Sequence, residues 1–369
     1  MESSFKNHIV GLTSLRGIAA IWVLFFHLDV IIFYRDLDSL IPHEWSGILT
    51  KGYLWVDFFF LLSGFIISHV YARELSANFL NLGVIKKYIW ARFIRIYPLH
   101  LFTLFLLIPF VLIVPSFYAA AVDGSWETYF AWSALWDNLL LIHSTNQHTY
   151  LSWNIVSWSI GAEWWNYLIA CITIPFLFKS HRIFSVIMAV IAFLILYFLN
   201  LHFGKLDITF DYGWLRCFAE FTLGSITYKV YLTGFGKNGF SKSWVYMIAL
   251  IWITALFHWN AHDLIVIPVF MILLLSVAHQ SHLSASFLEY KIVRYLGEIS
   301  YSIYMIHGIW FMVYWFAFPY LKDQWNLTEL NLFMKLVYVI SFIGFTLISA
   351  HFTYYGVEVK CREWLKKLF

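Results

Sequence analysis

The run LTSLRGIAAIWVLFFHL at residues 12–28 constrains this chain more than any other stretch. It is almost wholly apolar, yet it holds Arg16 near its start and His27 near its end. Eleven residues of α-helix turn through about 1100°, so the two side chains fall within about 20° of one face, about 16 Å apart along the axis. An ionisable side chain in a bilayer is costly and normally faces a cavity or a partner. Two on one face predict a single shared cavity. The competing reading is that Arg16 reaches up to the interface and His27 bonds a packed neighbour.

Composition makes a membrane the expected solvent. Apolar residues are 61% of the 369 and charged residues only 12%, where soluble domains carry roughly 25% charged. The net charge of +3 is too small, and its lysines and arginines too dispersed, to point to nucleic acid. Cys171, Cys217 and Cys361 have no close spacing, so neither a disulfide framework nor a metal site is expected. The first segment lacks a cleavage site of small residues and reads as a retained transmembrane helix. No repeat with a period of roughly 20–50 residues is visible.

Hydropathy predicts an all-α bundle of ten spans, near 12–34, 53–71, 96–118, 157–178, 182–201, 214–231, 244–258, 262–280, 297–318 and 332–355. With both ends cytoplasmic, 17 of the 24 Lys and Arg fall inside, among them Lys6, and 6 outside; Arg16 is the remaining one. The longest outer segment, 119–156, has no Lys or Arg but holds Asp123, Glu127, Asp137, His143 and His148. Seven of the 19 tryptophans, including Trp153 and Trp158, lie between 126 and 165. They read either as an interfacial aromatic belt or as a stacking platform for a sugar or lipid-linked glycan.

Three further constellations carry possible chemistry. In WARFIRIYPLH, Arg92 and Arg95 are neighbours on a helix face behind Lys86 and Lys87. Four cations at one membrane face fit a phosphorylated cofactor, or plain anchoring to anionic headgroups. In SWSIGAEWWNYL, Ser159, Glu163 and Tyr167 share one face of a helix entering from the outer loop. Glu163 there can orient a histidine, take a proton, bind a hydroxyl or pair with an arginine. In YLGEISYSIYMIHGIW, Glu298, Ser300, Tyr301, Ser302, Tyr304 and His307 form a polar stripe that also suits plain helix packing. The tail GVEVKCREWLKK is expected to be an amphipathic surface helix.

These motifs together resemble the acyltransferase 3 family of integral membrane acyltransferases. The Arg16-x10-His27 run is similar to its opening signature, GYLWVDFFFLLSGFIIS with Asp57 to its second span, and Arg92-Phe93-Ile94-Arg95-Ile96-Tyr97-Pro98 to its R-x-x-R-I-Y-P motif. Trp158-Ser159-Ile160-Gly161-Ala162-Glu163 resembles W-S-L-x-x-E, and Leu296 to His307 its ninth span. The likeness runs over roughly 8–362. Thr13, where many members have Asp, and Lys360, where many have Pro, depart from the pattern. No Gly-Asp-Ser stretch is present, so one membrane domain over 1–369 is expected, without an appended esterase-like module.

The resemblance implies transfer of an acyl group, most often acetyl from acetyl-CoA, to a hydroxyl of a cell-surface polysaccharide or lipid-linked glycan precursor, at a bacterial inner membrane. It implies that His27 and Arg16 are essential and that Arg92 and Arg95 lie near the acyl-CoA. Glu163 is expected with them at the catalytic centre, Lys86, Lys87 and Tyr97 with the donor, and Ser159, Trp158, Trp153, Tyr301 and His307 with the acceptor; no metal is expected. His27 can act as general base or as covalent relay. The donor is expected from the cytoplasm and the acceptor from outside, with Ser159 and Glu163 at the outer mouth. An antibiotic-like small acceptor is the second reading. A transporter is the third, although no internal repeat supports it.

Overall fold

The computed structural model describes residues 9–35, 38–118, 124–280, 287–327 and 329–368. Lys6 and Asp123, and with Asp123 the stretch 119–123 of the expected outer loop, lie outside them. The chain is 80% helix, with no strand among the described residues. The helices are α1 (Val10–Tyr34), α2 (Leu54–Ala77), α3 (Leu82–Phe117), α4 (Gly124–Tyr129), α5 (Ser133–Leu139), α6 (Trp158–Lys179), α7 (Arg182–Phe203), α8 (Gly213–Leu232), α9 (Lys237–Phe240), α10 (Ser243–His258), α11 (Asp263–Ala278), α12 (Lys291–Glu298), α13 (Ser300–Trp325), α14 (Leu332–Thr353) and α15 (Lys360–Lys366).

Among the described residues, seven helical stretches are long and apolar enough to cross a membrane: those of α1, α2, α3, α6, α7, α13, and α14 with its continuation to Lys366. The other three expected spans are helices too, but α10 and α11 have only 16 residues each. The third, α8, carries Arg216, Glu220 and Lys229 among its 20 residues. Two expected boundaries move. The third span begins at Leu82, because the Asn81 side chain accepts from the Gly83 and Val84 amides and caps the helix there. The basic stretch 86–95 is therefore part of one 36-residue helix. The ninth begins at Ser300. Glu298 belongs instead to α12, where it pairs with Arg294 at 3.2 Å on the surface, and so leaves the polar stripe.

Close helix crossings hold the bundle together. Without a hydrophobic force between helices in lipid, small residues let backbones approach. Gly64 of α2 lies against the Phe221 carbonyl of α8, and Gly224 of α8 against the Leu61 carbonyl of α2. An added Cβ at either would run into backbone. Gly17 of α1 and Gly297 of α12 make a second such pair, Gly297 meeting the Thr13 carbonyl. A fully buried charge cluster braces the first crossing: Arg216 of α8 binds both carboxylate oxygens of Asp57, donates to the Ile208 carbonyl at 3.0 Å and lies 3.7 Å from Glu220.

Of the stretch 119–156, the described residues 124–156 fold through α4, α5 and a buried connection, and leave Trp132 and Trp136 exposed. Asn154 donates to the Met305 carbonyl of α13 at 3.0 Å and to Thr103 of α3 at 3.2 Å. Ser157 bonds His143 at 3.1 Å. Irregular backbone at such depth is tolerated only where protein satisfies it. As a result α6 starts inside the molecule, with Trp158 to Ala162 all buried. The tail is a second departure: Tyr354–Val359 is a π-helical turn that sends Glu358 inward.

Gly64→Ala and Gly224→Ala should each lower stability by roughly 1–3 kcal/mol through overpacking. Gly344→Ala, where nothing lies within 4 Å of the added Cβ, should leave the thermal midpoint in detergent unchanged or raise it.

Candidate active site

Arg16 and His27 do share a face of α1, but they open into two cavities rather than one. A basic cavity of about 160 Å³ is lined by Arg16, Arg92, Arg95, Ser63, Glu163 and Tyr167, with Ser159, Ser300 and Tyr301. A histidine cavity of about 610 Å³ holds His27. Val56 and Tyr304 line both. The basic cavity is at the end of the bundle where the chain's ends lie: Arg16 stands in the second turn of α1, and Arg95 pairs with Glu358 of the C-terminal segment.

Within the basic cavity the three arginines differ. Arg16 makes no hydrogen bond or ion pair among the described residues; Glu163 is the carboxylate whose field reaches it. Arg92 donates to the Tyr71 hydroxyl at 3.0 Å, and its buried Nε has no partner among the described residues. Arg95 is neutralised by Glu358, whose other oxygen accepts from Ser302 at 3.0 Å, and it lies over the Tyr301 ring at 5.3 Å. Glu163 accepts from Ser63 and Tyr167, both at 2.5 Å. Two arginines with donor capacity left over suit an anionic or strongly accepting ligand.

Several expected site residues stand elsewhere. Lys86 and Lys87 are exposed on α3, roughly 13 Å along the axis before Arg95. Tyr97 stacks on Phe93 at 4.5 Å, donates to the Leu139 carbonyl at 3.1 Å and lines neither cavity. Trp153 is fully buried and donates to the Ala131 carbonyl at 3.0 Å. Of the seven tryptophans between 126 and 165, Trp158 alone lines the histidine cavity. Ser159 and Glu163, expected at the outer mouth, line the basic cavity instead, because α6 starts deep in the bundle, and Tyr301 of α13, expected with the acceptor, lines it too.

Glu163 is thus not brought to His27; His307 is. Nδ1 of His27 lies 3.0 Å from the Val23 carbonyl and 3.2 Å from Nε2 of His307. Nδ1 of His307 lies 3.2 Å from the Ile303 carbonyl. A carbonyl oxygen only accepts, so both rings carry their proton on Nδ1. The bare Nε2 of His307 then accepts from His27. That leaves Nε2 of His27, whose ring lines the cavity, with a free lone pair. A neutral imidazole held in one tautomer with an open lone pair is what a general base needs.

The charged groups around the histidine cavity are paired. Asp29 accepts from His43 at 2.7 Å and from the Leu40 amide at 2.9 Å. Arg216 is held by Asp57, and Lys205 lies 3.0 Å from Asp207. Burial works against the Lys205 charge, but Asp207 beside it holds its pKa above the ordinary lysine value. Much of the remaining wall is aromatic, including Phe26, Tyr53, Trp158, Phe311 and Trp315. Asp29 and His43 were not expected here, and Tyr304 was expected only as part of the polar stripe with His307. Asp29 follows His27 by two residues in the same expected span, which was the available signal.

The sequence profile of the acyltransferase 3 family, described as an acyltransferase domain, matches residues 9–354. The chain belongs to this family of membrane acyltransferases. Over 107 residues it is 34% identical to "Protein 2 in picA locus" of Rhizobium radiobacter, a match covering 29% of this chain and 48% of that protein. Over 178 residues it is 31% identical to acyltransferase MdmB of Streptomyces mycarofaciens, covering 47% of this chain and 40% of that protein. The chain spans less than half the length of these curated relatives. No solved structure matches.

His27→Ala should lower turnover by at least ~10²-fold, the scale of a lost general base, with the thermal midpoint little changed. His307→Leu should lower it less, and His307→Gln, whose side-chain oxygen can accept from His27 Nδ1, should recover part of that loss. Equal rates in His307→Leu and wild type would contradict the tautomer argument.

Proposed function

We propose that this protein is an O-acyltransferase that draws its acyl group from acyl-CoA, acetyl-CoA foremost, through the basic cavity and passes it to an acceptor hydroxyl in the histidine cavity. The observation that carries this reading is the free Nε2 lone pair of His27 in a large cavity end to end with a separate one that holds an unpaired arginine.

The basic cavity, at about 160 Å³, is below the roughly 300–1,000 Å³ of sites for whole small ligands. It therefore takes the narrow pantetheine arm. The nucleotide stays at the mouth, where Arg92 and Arg16 meet its phosphates, with Lys86 and Lys87 further out. His27 removes the proton of the acceptor hydroxyl at Nε2. The oxygen attacks the thioester carbonyl, the carbon–sulfur bond breaks, and the departing thiolate takes the proton from the imidazolium. Glu163, tied to Ser63 and Tyr167, balances the charge of the donor cavity.

The acceptor is a neutral, hydroxyl-rich molecule, a cell-surface polysaccharide or its lipid-linked precursor. Two features support it: the charges around the cavity are already paired, and aromatic faces with polar edges suit sugar rings. A small hydroxylated acceptor is the second reading, since about 610 Å³ lies in the small-ligand range. The distribution of Lys and Arg supports both chain ends in the cytoplasm, and the membrane proposed is a bacterial inner membrane.

Purified protein in detergent should release CoA from acetyl-CoA in the presence of a hydroxylated acceptor; a transporter releases none. Calorimetry with CoA should give at least ~10-fold weaker binding for Arg16→Gln and for Arg92→Gln, since a charge-assisted hydrogen bond is worth about 1.5–3 kcal/mol. Lys86→Gln should change it less. Unchanged affinity in both arginine variants would return them to a structural role.

A further inference from the structure

Two residues, Val56 of α2 and Tyr304 of α13, line both cavities and so stand where the two meet, as a wall between them would. The unpaired Arg16 is on one side of that wall and the His27 lone pair on the other. A thioester carried by a donor in the basic cavity cannot meet a hydroxyl in the histidine cavity while the wall stands.

The two parts of the wall differ in freedom. Val56 is β-branched and helical, so its χ1 is confined essentially to one rotamer. It is a fixed post. The Tyr304 hydroxyl bonds Ser159 Oγ at 2.8 Å and donates to the Val156 carbonyl at 3.2 Å. Ser159 Oγ lies 3.2 Å from the same carbonyl. When the phenol swings away, Ser159 remains as donor and no carbonyl is orphaned, so the movement forfeits about one ordinary hydrogen bond. Tyr301 is unlike it: its hydroxyl is tied to the Ile96 carbonyl at 2.6 Å. The Tyr304 ring also meets Phe59, on the basic cavity, at 5.9 Å, and His307, the partner of His27, at 5.4 Å.

We propose that Tyr304, moving against the fixed Val56, is the gate between the donor and acceptor cavities and sets the length of acyl chain that passes. This rests on the assignment of acyl-CoA to the basic cavity. The ring is the wall and the hydroxyl is its latch. Removing bulk from either side chain therefore lengthens the admissible chain, and adding bulk closes the passage without touching the arginines.

The test uses the full-length protein in detergent and a series of unreactive S-ethyl-, S-butyl- and S-hexyl-CoA thioethers, with affinities read by calorimetry. Val56→Ala and Tyr304→Ala should raise the S-hexyl to S-ethyl affinity ratio at least ~10-fold over wild type and leave CoA itself within about twofold. Tyr304→Phe, which keeps the ring and removes the latch, should raise the ratio less than Tyr304→Ala does. Val56→Trp should bind CoA within about twofold yet release it from acetyl-CoA at least ~10²-fold more slowly than wild type. Should Tyr304→Ala fail to fold, Val56→Ala, on a different helix, reads the same wall. Identical chain-length profiles in wild type and the widened variants, with CoA binding intact, would overturn the gate alone, as would wild-type turnover in Val56→Trp. Wild-type protein with no affinity for CoA would overturn the donor assignment and the gate with it.

Discussion

The hydrogen bonds of Asn154 are the constraint on which the site depends. By donating to Met305 and Thr103 they pin the connection before α6 between α3 and α13. There is no room for a larger neighbour at the crossing: an added Cβ on Gly308 would run into the Asn154 side chain. A buried donor of this kind cannot be released cheaply, because its lost bonds have no water to replace them. With the connection fixed, α6 begins in the interior. Its first turns bring Ser159 and Glu163 to the arginines and leave Trp158 facing the histidine cavity.

That placement separates the free arginines from the histidine pair. The basic cavity has three arginines, of which Glu358 removes one from service and Glu163, through its own hydroxyl partners, faces the rest. The histidine cavity has paired charges, aromatic walls and a histidine whose tautomer follows from two carbonyl oxygens and a second histidine. An anionic ligand is drawn to the first and has little to hold it in the second. The single helix α1 spans both, which is why Arg16 and His27 occur in one short run.

Helical period made the shared face of Arg16 and His27 legible, and the same period put Ser159, Glu163 and Tyr167 together. The positions of the ten helices were also readable from hydropathy, although three of them fall short of a full apolar span. What could not be read was set by contacts distant in sequence. Arg95 is neutralised by a carboxylate 263 residues away. The depth of Glu163 depends on Asn154 reaching Met305, 151 residues on. The residues shared by the two cavities, Val56 and Tyr304, come from α2 and α13, which no periodicity on α1 reveals. The tryptophans divide for a related reason: composition marked the region as aromatic, and distant contacts bury Trp126 and Trp153 while Trp132 and Trp136 stay exposed.

The account makes one claim above the others: donor and acceptor reach the reaction from opposite ends of one protein. Sealed vesicles holding the protein in a known orientation test it, with acetyl-CoA supplied to one side and acylated product scored on each. The account predicts turnover only when acetyl-CoA is on the side that carries the chain ends, with product on the other. Turnover from the opposite side, or product confined to the side of the chain ends, would contradict it.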